Sequence, residues 1–230
     1  ERSFVTYSPH VVPLFVGRKK SIGALEEERR MLEQGGAALH PLRYALGHHD
    51  DADFSGADMV LQNPGVPRDN RFLAVARDAG VPVETDVGIF FELCPFPTIG
   101  VTGTKGKTTT TALIGEMCKA EDKRTVVAGN IRIPVLDVLD ELLALPVENP
   151  PPLIIELSSW QLEGLEAHGK SPHIAVITNI KQDHLNRYRD MDEYAAAKEY
   201  IIASQKKDDI AVMNRDDARV RAMGERAPGK

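Results

Sequence analysis

The sequence predicts an α/β protein: a small Rossmann-like domain with a parallel sheet, followed by a P-loop-type ATPase domain with a mainly parallel sheet. Three observations support this class. Short apolar runs alternate with segments of helical periodicity along most of the 230 residues. The runs in the second half are continuous, which is typical of parallel strands buried on both faces. One glycine-rich loop joins a predicted strand to a predicted helix, as in phosphate-binding sites.

The glycine-rich loop spans residues 100–111, with the sequence GVTGTKGKTTTT. Its backbone N–H groups, the positive end of the helix predicted over residues 108–119, and Lys107 together suit a phosphate. The strict P-loop pattern needs glycine where Val101 stands, so the match is to a variant loop, and a threonine-capped turn without a ligand is the alternative. The expected ATP contacts are Gly103, Thr104, Lys105, Gly106, Lys107, Thr108 and Thr109.

We assign residues 1–95 to the N-terminal domain. Strands are predicted over residues 11–16, 37–40, 57–61 and 81–84, and helices over 22–34, 70–79 and 86–93. Ligands of such sheets bind beyond the carboxyl ends of the strands. The loops there contain the candidate substrate-binding residues Gly17, Arg18, Asn63, Pro64 and Gly65. The same loops are equally consistent with plain connections.

A polar stretch over residues 47–56 carries two histidines and three aspartates close together. Such a cluster could bind a metal ion, but the sequence favours a solvated loop.

We assign residues 96–230 to the central, ATP-binding domain. Its strands are predicted before the glycine-rich loop and over residues 124–128, 153–157, 174–178 and 210–213, with helices within 131–145 and over 194–204. Each strand ends at or just before a polar residue: Thr102, Asn130, Glu156, Asn179 and Asn214. A parallel sheet would place these residues on one rim.

The candidate metal ligands near this rim are Thr108, Glu156 and His184. Glu156 is costly to bury unless it is paired or on a metal, and beside the Thr108 hydroxyl it would hold Mg²⁺; an ordinary salt bridge is the alternative. His184 could be a second ligand or a phosphate contact, although an isolated histidine is more often structural. Taken alone, Lys198 is an ordinary solvated helix lysine.

Composition narrows the class of partner. The formal net charge is -6 and no long basic run occurs, which argues against nucleic acid. The 2 cysteines form no C-x-x-C pattern, as expected in a reducing cytoplasm. No apolar run approaches the roughly 20 residues that span a bilayer, so no membrane insertion is expected. We expect a monomer.

Together these residues resemble the Mur ligases, ATP-dependent amide-forming enzymes of peptidoglycan synthesis. The resemblance rests on the loop, on ELSSWQLE over residues 156–163, on TNI over 178–180 and DHLNRY over 183–188, and on Ala197-Lys198. Residues 63–67, NPGVP, are similar to the family's uridine-nucleotide loop. These pieces are most similar to the member that adds D-glutamate to UDP-N-acetylmuramoyl-L-alanine.

The resemblance implies a role for each matching position. Lys107 would be catalytic and hold phosphates, and Thr108 and Glu156 would hold one Mg²⁺. His184 would help to hold a second Mg²⁺. Lys198 would be carbamylated, since a carbamate is an anionic oxygen ligand whereas an ammonium repels Mg²⁺. The remaining implied contacts with the nucleotide-sugar or the metal shell are Asn130, Ser158 and Asn179.

The implied reaction has two steps. The substrate carboxylate attacks the γ-phosphate of ATP to give an acyl phosphate, and the amine of D-glutamate then expels phosphate. The family has a third, C-terminal domain that holds the amino acid, and we expect that domain to be missing from these 230 residues. We therefore expect nucleotide-sugar binding without efficient ligation.

Two alternatives remain open. The chain could be another ligase of the superfamily, such as a folylpolyglutamate synthase or an enzyme that uses a different amino acid. It could also be a non-catalytic ATP-binding module. The run over residues 158–163 favours the D-glutamate enzyme, and the intact set of catalytic candidates favours an enzyme.

Overall fold

The structure, a computed structural model, describes residues 3–6, 12–14, 43–46, 49–130 and 133–230, of which the first three segments are described as backbone only. The chain divides into two compact units, Glu1–Asp86 and Val87–Lys230. The α/β class is confirmed, because every strand pair except one is parallel in the described residues.

The first unit contains a three-stranded parallel sheet and a separate strand pair. Its elements are β1 (Ser3–Thr6), β2 (Val12–Leu14), β3 (Arg43–Leu46), α1 (Asp51–Ser55), β4 (Val60–Gln62), α2 (Arg71–Asp78) and β5 (Val83–Thr85). The parallel sheet has the order β2-β4-β5. Strands β1 and β3 pair antiparallel, which the sequence did not predict.

Local chemistry explains the helices of this unit. Asn70 caps α2 by accepting a hydrogen bond from Phe72 N, and Asp50 caps α1 in the same way from Ala52 N. The expectation of a loop over residues 47–56 was therefore wrong for α1. A small core lies beneath the helices, formed by Phe54, Val60, Val66, Leu73, Ala76 and Val81. The predicted helix over 22–34 and strand over 37–40 lie outside the described residues.

The second unit is built on a five-stranded, all-parallel sheet with the order β10-β9-β6-β8-β7. The strands are β6 (Ile99–Thr102), β7 (Val126–Gly129), β8 (Leu153–Glu156), β9 (Ile174–Ile177) and β10 (Ile210–Met213). Residues of β8 are buried throughout, which explains its continuous apolar sequence. The register aligns Val101 and Gly129 with Glu156, and Thr102 with Ile177, so the polar strand ends meet at one rim as predicted.

Helices connect and cover these strands. They are α3 (Asp86–Leu93), α4 (Lys107–Glu121), α5 (Leu139–Leu143) after a 3₁₀ turn (Val135–Val138), α6 (Ser159–Glu166), α7 (Met191–Ala203) and α8 (Ala218–Gly224). Helix α3 contributes Val87, Phe90 and Phe91 to the core of the second unit. The compact units divide between Asp86 and Val87, at the first residue of α3, whereas the sequence placed a linker after this helix at residues 95–97.

Candidate functional site

The phosphate loop leaves the centre of the sheet and enters α4 through two glycines in the left-handed half of backbone space. Gly103 has φ 144° and Gly106 has φ 83°, conformations that side-chain-bearing residues rarely adopt. A Cβ on Gly103 would also lie 2.0 Å from Thr178 Oγ1. Gly106 is the N-cap of α4 and offers no side-chain cap, which leaves the first N–H groups of the helix for another acceptor.

Lys107 folds back over the loop that precedes it. Its Nζ donates hydrogen bonds to the carbonyl oxygens of Gly103 at 3.0 Å and Thr104 at 3.1 Å. Partial burial lowers the pKa of Lys107, while Glu156 acts in the opposite direction. The ammonium is thus held at the mouth of the loop, where a phosphate would be attracted to it. Thr108 and Thr109 of the same helix are exposed.

The loop rests on a wall formed by residues 178–181, which follow β9. Asn179 binds Lys105 twice, with Oδ1 accepting from Lys105 N at 3.0 Å and Nδ2 donating to Lys105 O at 2.9 Å. Thr178 Oγ1 also donates to Lys105 O, at 2.7 Å. The side chain of Asn179, predicted to contact substrate or the metal shell, therefore holds the phosphate loop.

Glu156 ends β8 next to the loop and is only 1% exposed. Its Oε1 accepts a hydrogen bond from Asn130 Nδ2 at 2.9 Å. Its buried Oε2 has no hydrogen-bond partner among the described residues. A buried carboxylate oxygen without a partner costs free energy, and a bound cation or hydrogen-bond donor would offset that cost. Among the described residues the side-chain hydrogen-bond partner of Glu156 is the Asn130 amide, and no ion pair of Glu156 within salt-bridge distance is present there.

Lys198 lies within α7 and is also only 1% exposed. Its Nζ lies 4.9 Å from the centroid of the Tyr194 ring. Burial, reinforced by the charge of Lys107, lowers the pKa of Lys198 to about 7. The sequence-based alternative of a solvated helix lysine is wrong.

His184 lies in the loop between β9 and α7, in an unusual backbone conformation. Its φ is 54°, the one positive value among the non-glycine residues that the structure describes. The ring packs against Trp160, at 5.5 Å between centroids, and against Tyr194, at 5.9 Å. Such a conformation persists only where its surroundings enforce it, and it is often found at functional sites.

The loop that carries His184 is attached to α6 through Glu163. This carboxylate accepts from Arg187 Nη2 at 2.7 Å and from the Tyr188 hydroxyl at 2.6 Å. The Arg187 guanidinium in turn lies over the Trp160 ring, 4.8 Å from its centroid. Helix α6 itself begins with a capping box, in which Ser158 and Gln161 bond each other. The hydroxyl of Ser158, predicted to contact substrate, is thus engaged in the cap.

The predicted loop of the first unit is a tight turn at the carboxyl end of β4. Asn63 Oδ1 accepts from Gly65 N at 2.9 Å, and Asn63 O accepts from Val66 N. Gln62 Nε2 secures the far side by donating to Val66 O at 2.8 Å. The candidates Asn63, Pro64 and Gly65 are therefore together on a rigid loop. Gly17 and Arg18 lie outside the described residues.

A metal site built from protein side chains alone is not present in the described residues. In residues 49–130 and 133–230, no group of three or more His, Cys, Asp or Glu side chains could hold a metal ion. The polar cluster near Asp50 is instead used in capping, in the contact of Asp51 with Arg71 at 2.7 Å, and in the packing of His49 on Phe72.

Sequence reasoning missed Tyr194 and Thr178. Tyr194 contacts the loop, His184 and Lys198, and Thr178 supports the loop from behind. The only sequence signal for Tyr194 is its spacing of four residues before Lys198, which puts both on one face of a helix.

A strand, a variant phosphate loop and a helix at the rim of a parallel sheet define a P-loop-type α/β nucleotide-binding domain. Residues 101–230 match the family model of the Mur ligase middle domain. The chain is 48% identical over 183 residues to the UDP-N-acetylmuramoylalanine–D-glutamate ligase of Roseiflexus sp. (strain RS-1), over 80% of this chain and 38% of that protein. It is 46% identical over 180 residues to the ligase of the same name from Anaeromyxobacter dehalogenans (strain 2CP-C), over 77% of this chain and 37% of that protein. The chain belongs to the Mur ligase family.

A solved structure agrees at the level of the fold. The UDP-N-acetylmuramate:L-alanyl-gamma-D-glutamyl-meso-diaminopimelate ligase from Neisseria meningitides matches with a TM-score of 0.52 and 16% identity, over 79% of this chain and 60% of that chain. The chain spans less than two fifths of the length of the two relatives named above. No helix in the described part of the chain is long and apolar enough to cross a membrane.

Proposed function

We propose that this chain is the nucleotide-binding part of an ATP-dependent ligase that adds D-glutamate to UDP-N-acetylmuramoyl-L-alanine. The observation that carries the proposal is Glu156, whose buried and unpartnered Oε2 lies at the strand end beside the phosphate loop. The names of the relatives at 48% and 46% identity supply the choice of substrate.

The donor set fits Mg²⁺ held jointly by protein and nucleotide. Mg²⁺ is usually bound by one or two carboxylates together with waters and substrate phosphates, rather than by a full cage of protein ligands. Glu156 would supply the carboxylate, and Thr108 at the start of α4 would supply a hydroxyl. His184, exposed at the same rim, would serve a second ion. Mg²⁺, when bound, would neutralise charge on the phosphates.

Lys198 is suited to the carbamylation that the family resemblance implies. Only the neutral amine attacks CO₂, with formation of an N–C bond and release of one proton. A pKa of about 7 makes about half of the Lys198 side chains neutral at pH 7. The resulting carbamate would be an anion near Lys107, whose charge raises the cost of a Lys198 ammonium.

The proposed reaction assigns each of these residues a role. The carboxylate of the L-alanine residue attacks the γ-phosphorus of ATP, and ADP leaves. The amine of D-glutamate then attacks the acyl carbon, loses a proton and expels phosphate. Lys107 would exchange its bonds with the Gly103 and Thr104 carbonyls for bonds with phosphate oxygens, and the N–H groups at the start of α4 would complete the cradle.

The nucleotide site can be tested on this chain by calorimetric titration with ADP, with and without Mg²⁺. We expect binding that Mg²⁺ strengthens at least ten-fold. Lys107→Met should abolish it, whereas Lys123→Met, an exposed lysine beyond the end of α4, should bind as wild type does. Equal binding by both variants would refute the assignment of the loop.

The substrate can be tested by titration with UDP-N-acetylmuramoyl-L-alanine, UDP-N-acetylmuramate and UDP. We expect the first compound to bind most tightly and UDP most weakly. Binding of a reduced folate in their place would favour the folylpolyglutamate alternative. Binding of nucleotide with none of the other compounds would favour the non-catalytic module. The proposal also includes a monomer in a bacterial cytoplasm, without nucleic acid as a partner.

A further inference from the structure

Tyr194 occupies the point where three parts of the candidate site meet. It is one of the largest fully buried side chains of the described residues, at 1% exposure. It lies in the first turn of α7, and Lys198 follows one turn later on the same face. The sequence gave no role to Tyr194 itself, although its contacts Thr104, His184 and Lys198 were all candidate site residues.

The hydroxyl group of Tyr194 reaches the phosphate loop. It lies 3.1 Å from Thr104 Oγ1. Thr104 Oγ1 also accepts from Lys181 N at 2.9 Å and donates to Lys181 O at 3.2 Å. Because the Thr104 hydroxyl has a single proton, which the Lys181 carbonyl takes, the Tyr194 hydroxyl is the donor in their contact.

The ring of Tyr194 reaches the other two parts. One face carries Lys198 Nζ at 4.9 Å from the centroid, and His184 packs edge-on at 5.9 Å between centroids. Tyr188 supports the ring from a further side, at 5.3 Å. The ring therefore limits where both the amine and the imidazole can lie.

We propose that Tyr194 is a positioning residue that fixes the positions of the phosphate loop, His184 and Lys198 relative to one another. The hydroxyl fixes the loop through Thr104, and the ring fixes the two side chains. This inference rests on the proposed function, because it assigns Tyr194 to the same nucleotide site. It extends that function because one side chain would link the shape of the phosphate loop to the positions of the proposed metal ligand His184 and of the proposed carbamylation site Lys198.

Three variants separate the two contacts. Tyr194→Phe removes only the hydroxyl, Thr104→Val removes its acceptor, and Tyr194→Leu removes the ring. Tyr200→Phe is the matched control, since it deletes a hydroxyl from the same helix at its opposite end. The affinity for Mg²⁺-ADP is measured by calorimetry well below the unfolding temperature, so that lower stability alone does not change it.

We expect Tyr194→Phe to weaken Mg²⁺-ADP binding by about ten-fold, as loss of one buried hydrogen bond does. Thr104→Val should weaken it at least as much, because it also removes both bonds to Lys181. The double variant should be no weaker than Thr104→Val alone, since Thr104→Val has already removed the bond that Tyr194→Phe removes. Tyr200→Phe should bind as wild type does. Unchanged affinity in Tyr194→Phe, or losses that multiply in the double variant, would overturn the role of the hydroxyl.

The ring is tested by ¹³C NMR of the chain in ¹³C-bicarbonate. We expect a lysine carbamate signal in wild type and in Tyr194→Phe, and its loss in Tyr194→Leu. A signal of equal strength in all three, or in none, would overturn the effect of the ring on Lys198. A wild-type chain that binds no nucleotide refutes the proposed function itself, whereas normal binding with indifferent variants refutes only the role of Tyr194.

Discussion

Replacement of Lys198 by methionine should stabilise the second unit at neutral pH. The buried amine has a pKa of about 7 against an ordinary value of 10.5. Each unit of that difference is worth about 1.4 kcal/mol, so the cost of keeping this group in the fold is about 4 kcal/mol at pH 7. Methionine has a similar length and no charge to bury, and Lys198→Met should recover much of this free energy.

The increase in unfolding free energy produced by Lys198→Met should become smaller as the pH rises. The folded pKa is the lower one, so the unfolded chain binds more protons between pH 7 and 10.5. Wild-type stability therefore rises with pH across this window, and the cost is fully present only below pH 7. Between pH 6 and 9 the advantage of Lys198→Met should shrink by about 2 to 3 kcal/mol.

Urea unfolding in CO₂-free buffer measures this difference. Trp160 is the only tryptophan of the sequence and lies in the second unit, so its fluorescence reports the unfolding of that unit. Lys207→Met, at an exposed position, serves as the control and should follow the wild-type pH profile. A difference between Lys198→Met and wild type that does not change from pH 6 to 9 would refute the reasoning.

Three further substitutions test other parts of the site, and a fourth, Gly169→Ala, is the control for one of them. Glu156→Gln should change the unfolding free energy by only about 1 kcal/mol while removing the gain in ADP affinity that Mg²⁺ gives, and a variant that still responds to Mg²⁺ in calorimetry would contradict the metal assignment. Gly103→Ala should cost about 2 to 4 kcal/mol in urea unfolding because of its clash and positive φ. Gly169→Ala, with positive φ and open space, should cost only about 1 kcal/mol, and equal losses would rule out the clash. Glu163→Gln should cost about 2 to 4 kcal/mol and alter the Trp160 fluorescence by releasing Arg187, and an unchanged spectrum would argue against that link.

The strands of the second unit's sheet could be predicted because each one is recognisable from its own short stretch of sequence. Each strand is a short continuous apolar run that ends in a polar residue, and the predicted run at residues 210–213 coincides with β10 (Ile210–Met213). The helix after the phosphate loop was also predicted, and it begins at Lys107, one residue earlier than expected. Strand β8 is buried throughout and is the clearest case, whereas β10, at the edge of the sheet, was recognised from its apolar run although it is partly exposed.

Other features depend on partners distant in sequence. The antiparallel pairing of Ser3–Thr6 with Arg43–Leu46 joins segments almost 40 residues apart, and neither run alternates clearly. Helix Asp51–Ser55 was missed because an aspartate cap looks the same in sequence as a polar turn. Burial of Lys198 could not be predicted either, because it is set by Tyr194 and by the phosphate loop about 90 residues earlier.

The wall of residues 178–181, on which the phosphate loop rests, is itself held by Asp217, which follows β10. Asp217 begins α8 by accepting from Val220 N, and its Oδ2 accepts from Ile180 N at 3.0 Å. Lys181 adds an ion pair to the same carboxylate at 3.4 Å. One buried side chain thus starts a helix and anchors the segment on which the phosphate loop rests.

This support explains how a loop with two glycines at positive φ keeps one shape before a ligand arrives. Asn179 and Thr178 already bond the backbone N–H and C=O groups of Lys105 on the rear of the loop. These groups therefore gain no further hydrogen bond if the loop moves closer to residues 178–181. At the front, Glu156 Oε2 is buried without a partner among the described residues, and Gly106 leaves the start of α4 uncapped. A nucleotide with its cation would satisfy groups of both signs at once, so its binding free energy need not be spent on ordering the loop.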